Sequence, residues 1–357
     1  MALRHPRRFP NSENVIRPIP HRPARTPHAL QSHSAASHPS PAKVHTIARR
    51  STVLVVLAAL SLASCSSAST GDGGLKTVAN APPTTTIPPT TIPPTTTSST
   101  EQPGWTPVSL VDGAIAVDTQ AVTEADGHVV TIFRFRAGRT RFALHAGSMD
   151  PPMAAGDVGP DDGSTVGPDE VPVLLAAFNG GFKAIAGTGG FELDSQVIVP
   201  LQTGAASLVI DANQSAHVGA WGEGLPVTGE QVVSVRQNLP PLVVNGQPSP
   251  AIADIGAWGS TLGGRAAVAR SSLGEDTSGD LLYAASMFAL PGDLANALIG
   301  AGAVTGMELD INPEWVQMDA APAPGGALAE GIPGQNRPSD QYLVGWTRDF
   351  ITVLAGP

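Results

Sequence analysis

The densest concentration of chemistry in the chain is the stretch Thr305-Gly-Met-Glu-Leu-Asp-Ile311, followed by Asn312-Pro-Glu314. Read as a strand, its side chains alternate between faces, so Met307, Leu309 and Ile311 point one way. Glu308, Asp310 and Asn312 then point the other, which places two carboxylates and an amide together, with Glu314 just beyond. Neighbouring carboxylates push one another's pKa values apart, which suits acid/base or nucleophilic work on a glycosidic bond. Such a cluster can also hold a divalent cation, the one cofactor these residues suggest. The plainer alternative is a solvated strand face ending in an Asn312-Pro313 turn.

Two other stretches could serve the same site. In Ala177-Phe-Asn-Gly-Gly-Phe182, paired glycines after a buried strand permit a tight positive-φ turn, leaving the amides of Gly180 and Gly181 open to an oxyanion beside Asn179. In Gly263-Gly-Arg265 through Arg270-Ser-Ser-Leu-Gly274, Arg265 and Arg270 are scarce cations, and arginine grips phosphate bidentately. Surface arginines paired with carboxylates would look the same. No spacing identifies a metal site: His128, His145 and His217 are scattered. No Gly-x-Ser-x-Gly elbow, phosphate loop or dinucleotide fingerprint is present either, which argues against Ser-His-Asp catalysis.

The elements that must position these residues are mostly strands. Val129–Arg136 alternates and is rich in β-branched and aromatic residues. Phe142–His145, Val173–Phe178, Ser207–Asp211, Pro241–Asn245, Ala266–Arg270 and Leu281–Ala285 predict further short strands between Gly, Asp and Asn turns. One helix is predicted from Pro291 to Gly302, with Leu294, Ala297, Leu298 and Ala301 on one face. That helix should pack on the apolar side of the Asp310 strand and leave the polar side lining a cleft. The fold class is α+β, a β-rich single domain with a mixed sheet and few helices.

This domain is predicted to span residues 104–357. Before it, residues 65–103 are mostly Ser, Thr, Pro and Gly, with the near-repeat Pro82–Thr97. That composition cannot offset its own ordering entropy, so a disordered stalk is expected; at about 3.1 Å per residue it reaches on the order of 100 Å. Residues 1–64 read as a tail and an export signal: Arg49 and Arg50, an apolar run from Ser51 to Ser64, then Cys65. The run holds about 14 apolar or small residues, short of the roughly 20 that cross a bilayer. Leu62-Ala-Ser-Cys65 resembles a bacterial lipoprotein box, which implies acylation of Cys65 and a membrane lipid anchor on an outward-facing protein. Val44–Arg50 would itself open such a signal, so residues 1–43 read as a start placed too early.

Charge narrows the partners. The chain has 20 Lys/Arg and 30 Asp/Glu, of which residues 1–50 hold 9 and 1, leaving 11 − 29 = −18 for the remainder. That excess argues against nucleic acid and against a polybasic hold on anionic lipid. A single cysteine rules out an internal disulfide.

Taken in order, these stretches resemble the phosphodiester glycosidase family, the enzymes related to N-acetylglucosamine-1-phosphodiester alpha-N-acetylglucosaminidase. The resemblance runs over roughly residues 125–355. It is carried by Asn179-Gly-Gly-Phe182, Pro240-Pro-Leu-Val-Val-Asn-Gly246, Arg270-Ser-Ser-Leu-Gly274, Gly302-Ala303, Leu309-Asp310, Asn336-Arg-Pro-Ser339 and the closing apolar Phe350–Leu354. It implies hydrolysis of a sugar-1-phosphodiester or related linkage in envelope glycan. Asp310 would be the main carboxylate, Glu308 or Glu314 its partner, Arg270 or Arg265 the phosphate group's holder, and Asn179 with Gly180 and Gly181 the sugar's guide. The family continues Leu-Asp with a glycine-rich loop, whereas this chain reads Leu309-Asp-Ile-Asn-Pro-Glu314. That departure keeps a second reading open, a lipoprotein that binds envelope glycan in the same groove without cleaving it. A third is a structural stalked surface domain.

Overall fold

The computed structural model describes residues 104–152, 163–259 and 264–357. The segments predicted to be an export signal and a stalk, with Cys65, lie outside the described residues, as does Gly263. In chain order the first strands are β1 (Thr106–Val111), β2 (Ala114–Thr123), β3 (Val129–Phe135), β4 (Thr140–His145), β5 (Leu174–Asn179) and β6 (Phe191–Leu193). Then come β7 (Gln196–Val199), β8 (Ala206–Asp211), β9 (Ala216–Ala220), β10 (Val232–Gln237), β11 (Val243–Val244) and β12 (Gln247–Pro248). The last third holds β13 (Val268–Asp276), β14 (Leu281–Ala289), α1 (Pro291–Gly300), β15 (Ala303–Glu308), β16 (Met318–Ala320), β17 (Ala329–Glu330), α2 (Gln341–Val344) and β18 (Phe350–Ala355).

These strands form three sheets, in the orders β1-β2-β3-β14-β13-β15-β11-β12, β7-β6-β10-β8-β9 and β17-β16-β5-β18-β4. The fold is thus β-rich with few helices, as the alternating sequence predicts. β14 and β15 both pair antiparallel with β13, so they run parallel to each other with β13 between them. The β-α-β order read from the sequence is therefore a crossover by α1 over an intervening strand, and the mixed character lies in strand direction rather than in adjacent pairing.

One face of the eight-stranded sheet meets both smaller sheets. Phe133, Phe135, Leu273, Tyr283, Met307 and Leu309 from the large sheet and its margin share this core with Phe178, Leu208 and Ile351. The opposite face carries Val130, Ile132, Leu282 and Ala284 against Leu294, Ala297 and Leu298 of α1. α1 begins where Pro291 presets the first turn and Asp293 accepts the Leu290 amide at 2.7 Å. A third cluster, Leu174, Ala177, Phe350 and Leu354 with Tyr342 and Trp346, covers the outer face of the β5–β18 sheet.

This layering corrects one expectation. A methyl on Gly306 would stand 3.3 Å from Leu298 Cδ1, so α1 packs on the face of β15 that carries Gly306 and Glu308. Met307 and Leu309 turn into the central core instead. Both faces of the strand are covered, which the alternation of polar and apolar side chains could not disclose.

Candidate functional site

Asn179 closes β5 at the seam between two sheets. Its backbone lies opposite Phe350 of β18, and the next residue's carbonyl, Gly180 O, accepts the Asp310 amide at 3.1 Å. Asn179 Nδ2 donates to Ser271 Oγ at 2.9 Å, and its Oδ1 accepts Tyr283 OH at 2.8 Å and Gln317 N at 3.1 Å. Ser271 Oγ in turn donates to Asp310 O at 2.9 Å. Three chain segments far apart in sequence therefore meet, at Asn179, Ser271 and Asp310. Every polar atom of the Asn179 side chain is engaged and the residue is buried, so it clamps the junction.

Arg270 does not join them. Alternation along β13 sends Ser271 to Asn179 and Arg270 to the α1 face. There Arg270 Nη1 lies 2.6 Å from Glu308 Oε1, both side chains being fully buried. Its other donors reach Trp258 O, Ala289 O and Ala266 O. A guanidinium so fully occupied has no fork left for phosphate. Burial pushes the Glu308 carboxyl up to about 8, with Arg270 opposing the rise. Glu308 and Asp310 are thus no pair on one open face: Glu308 is buried against Arg270 on the α1 side, while Asp310, just past the end of β15, faces Arg348.

Asp310 has other partners. Oδ1 accepts the amides of Ile311 at 2.7 Å and Asn312 at 3.2 Å, while Oδ2 accepts Arg348 Nη2 at 2.9 Å. Burial raises its pKa from 3.8 to about 6 against the pull of Arg348 and the two amides, with Asp349 adding to the rise. Arg348 also stands 3.2 Å, through Nε, from Asp150 Oδ2, and Asp150 accepts the Ala184 amide at 3.1 Å. An Asp–Arg–Asp arrangement results, with Arg348 between the two acids. A guanidinium and two amides already hold both Asp310 oxygens, which is the reverse of a cation's ligand set. Among the described residues no group of three or more His, Cys, Asp or Glu gathers as a metal site.

The glycines also differ from their expected use. Neither Gly180 nor Gly181 has positive φ. Their amides are engaged, Gly180 N with Asp349 O at 3.0 Å and Gly181 N with Asp349 Oδ2 at 3.2 Å. Glycine is needed for close approach: a Cβ on Gly180 would meet Asp349 Oδ2 at 1.8 Å, and one on Gly181 would meet the Arg236 guanidinium at 2.9 Å.

No protein-family model matches the chain, and no curated protein matches it. Solved structures do resemble it. One is the zebrafish N-acetylglucosamine-1-phosphodiester alpha-N-acetylglucosaminidase catalytic domain auto-inhibited by its pro-peptide, at 13% identity and a TM-score of 0.44, over 71% of this chain and 87% of that one. Another is a hypothetical protein from Synechocystis, at 12% identity and a TM-score of 0.40, over 70% of this chain and 64% of that one. Values this low decide nothing about chemistry.

The remaining sequence-predicted residues stand apart from this network. Glu314 is exposed and pairs with Arg337 at 2.9 Å, while also accepting Asn336 Nδ2 at 2.9 Å. Asn312 Oδ1 accepts the Glu314 amide, so it shapes the turn. Arg265 is exposed ahead of β13.

Four functional candidates escaped the sequence reading: Asp150, Arg236, Arg348 and Asp349. Arg236 Nε meets Asp349 Oδ2 at 2.6 Å in a buried pair and Arg236 Nη2 donates to Phe182 O, fixing the Asn179–Phe182 turn. The available signal was Thr347-Arg-Asp-Phe350, two charges directly before a wholly apolar strand. A cavity of about 490 Å³ opens beside Thr106, Thr119, Phe133 and Glu330 and includes none of these candidates. Chemically, the arrangement offers one buried carboxyl that titrates near neutrality, a second carboxylate, and a cation bridging them.

Proposed function

We propose that the chain hydrolyses a sugar-1-phosphodiester or related glycosidic linkage, its substrate being envelope glycan reached from a lipid anchor at Cys65. The supporting observation is Asp310: a buried carboxyl at the junction of three separated segments, pushed up to about 6 and bridged by Arg348 to Asp150. A carboxyl held in that range can carry a proton to the leaving oxygen near neutral pH. Asp150 is the second carboxylate, on the water or the anomeric carbon, in place of Glu308 and Glu314. Arg348 steadies charge that develops between them.

A specific observation favours the non-cleaving alternative. Both Asp310 oxygens are already hydrogen-bonded, and the turn after it carries Pro313 where the resembling family has glycines. Incubation with a sugar-1-phosphodiester and assay of free reducing sugar decides between the two. Hydrolysis lost in Asp310→Asn and Asp150→Asn supports the enzyme. Saturable binding with no sugar released, in the unaltered protein, replaces it with the binder.

A further inference from the structure

Outside the Asp310 junction, the described residue with the most unusual surroundings is Trp315. Three cations gather about its indole: the Arg348 guanidinium at 5.2 Å from the ring centroid, the Lys183 ammonium at 5.6 Å and the Arg337 guanidinium at 5.9 Å. Arg337 also lies 5.2 Å from the Trp346 ring, which meets Trp315 edge-on at 5.5 Å. In a chain whose residues beyond the first 50 are so acidic, this is a marked concentration of positive charge. Cation–aromatic contacts alone are worth about 0.5–1 kcal/mol at exposed sites, too little to explain gathering three like charges.

Their acidic partners are few. Glu314 faces Arg337, while Asp150 and Asp310 face Arg348. Lys183 is the sole lysine after residue 103, is exposed, and its ammonium forms no ion pair or hydrogen bond among the described residues. One buried donor in the same cluster, Trp346 Nε1, also lacks a hydrogen-bond acceptor among the described residues. Buried N–H groups are rarely left so. An unpaired ammonium and an unspent indole N–H beside one half-buried aromatic ring, with Arg337 held only by the exposed Glu314, call for a ligand rich in anionic acceptors.

We infer that Lys183 and Arg337 around Trp315 form a phosphate-binding subsite for an anionic glycan, next to Asp310, with the buried Arg348 adding positive charge behind them. The inference deepens the hydrolase reading and rests on it for the choice of a sugar phosphate as ligand. It moves the phosphate role from Arg270, whose donors are committed, to Lys183 and Arg337. Lys183 supplies a point charge and Arg337 a planar fork, while the indole edge bounds the sugar beside them.

Calorimetric titration of the full chain with α-glucose-1-phosphate tests the subsite, with neutral methyl α-glucoside as control and inorganic phosphate as competitor. Saturable binding of the phosphate ester is expected, weakening with added salt, at least tenfold tighter than the neutral glucoside and displaced by phosphate. Lys183→Ala should weaken it on the order of tenfold and Lys183→Arg should restore most of the loss. Lys183 is exposed, so folding should survive; Arg337→Gln, checked by thermal melting, is the second arm. Equal affinity for the neutral glucoside, no saturable binding, or affinity unchanged in both variants overturns the subsite. Binding that persists in a protein without hydrolytic activity leaves the subsite standing and sinks the hydrolase reading. Hydrolysis with a KM indifferent to Lys183→Ala does the reverse.

Discussion

Arg348 Nη2 donates to Asp310 Oδ2 at 2.9 Å, joining the segment before β18 to the segment after β15. Both residues are buried, and Arg348 also leans on Asp150. The carboxyl is thus neither a free surface acid nor one member of a balanced ion pair, because its cation is shared.

Substitution at this position should separate chemistry from folding. Asp310→Asn keeps the shape and removes the proton carrier, so turnover should fall by at least about a hundredfold. Arg348 retains Asp150, which limits the stability loss to about 1–3 kcal/mol. Leu309→Asn should cost roughly 2–4 kcal/mol by placing an amide in the central core. Activity assays beside denaturant titrations read both. Full activity in Asp310→Asn would remove it from the mechanism.

Arg270 and Glu308 should behave as structure. Arg270→Met alone leaves Glu308 buried without its cation and should cost about 3–5 kcal/mol, whereas Arg270→Met with Glu308→Leu should recover most of that. The double variant, once folded, should keep the KM of the parent. A large rise in KM at unchanged stability would return Arg270 to the substrate.

Legibility followed periodicity. Val129–Phe135, Ser207–Asp211 and the Pro291 helix were plain because alternation and a helical stripe report burial directly. Asn179 and Asp310 could be picked out as candidates because their residue types are chemical. What alternation cannot report is a strand covered on both sides, so Glu308 read as solvent-facing when α1 and Trp258 bury it with Arg270. Pairing across 113 residues, as between Arg236 and Asp349, leaves no local mark either.

Gly180→Ala tests the close-approach account of that turn. The new methyl would sit 1.8 Å from Asp349 Oδ2, and Asp349 is itself held by Arg236. Relief requires shifting a buried ion pair, so a loss above roughly 3 kcal/mol or failure to fold is expected. A melting temperature within a degree or two of the parent would show that the turn yields.

Stability should fall as pH rises. Burial raises Asp319 from 3.8 to about 7, with hydrogen bonds from Gln317 and Gln335 opposing, and Asp310 and Glu308 are raised as well. A raised carboxyl binds more protons folded than unfolded, so its contribution is complete below 3.8 for Asp319 and is lost as pH climbs through about 7. Each such group contributes at most about 1.4 kcal/mol per pH unit within its window. Denaturation midpoints at pH 5 should exceed those at pH 8, and Asp319→Asn should flatten the slope. A slope unchanged in that variant would place the titration elsewhere.

The pH dependence of turnover tests Asp310 as the proton donor. Its carboxyl titrates at about 6, so as a general acid it is competent below that pH, and activity should fall about tenfold per unit above it. Arg348 is the largest influence holding this value down. Arg348→Gln removes that cation, so the proton is held more tightly and the alkaline limb must move to higher pH even as the maximum rate drops. Arg348→Lys keeps the charge without the fork and should leave the limb close to the parent's. A pH–rate profile of kcat/KM on the three proteins is sufficient. If the limb stays fixed in Arg348→Gln, or moves down, the titrating acid is a different group and Asp310 is not the donor.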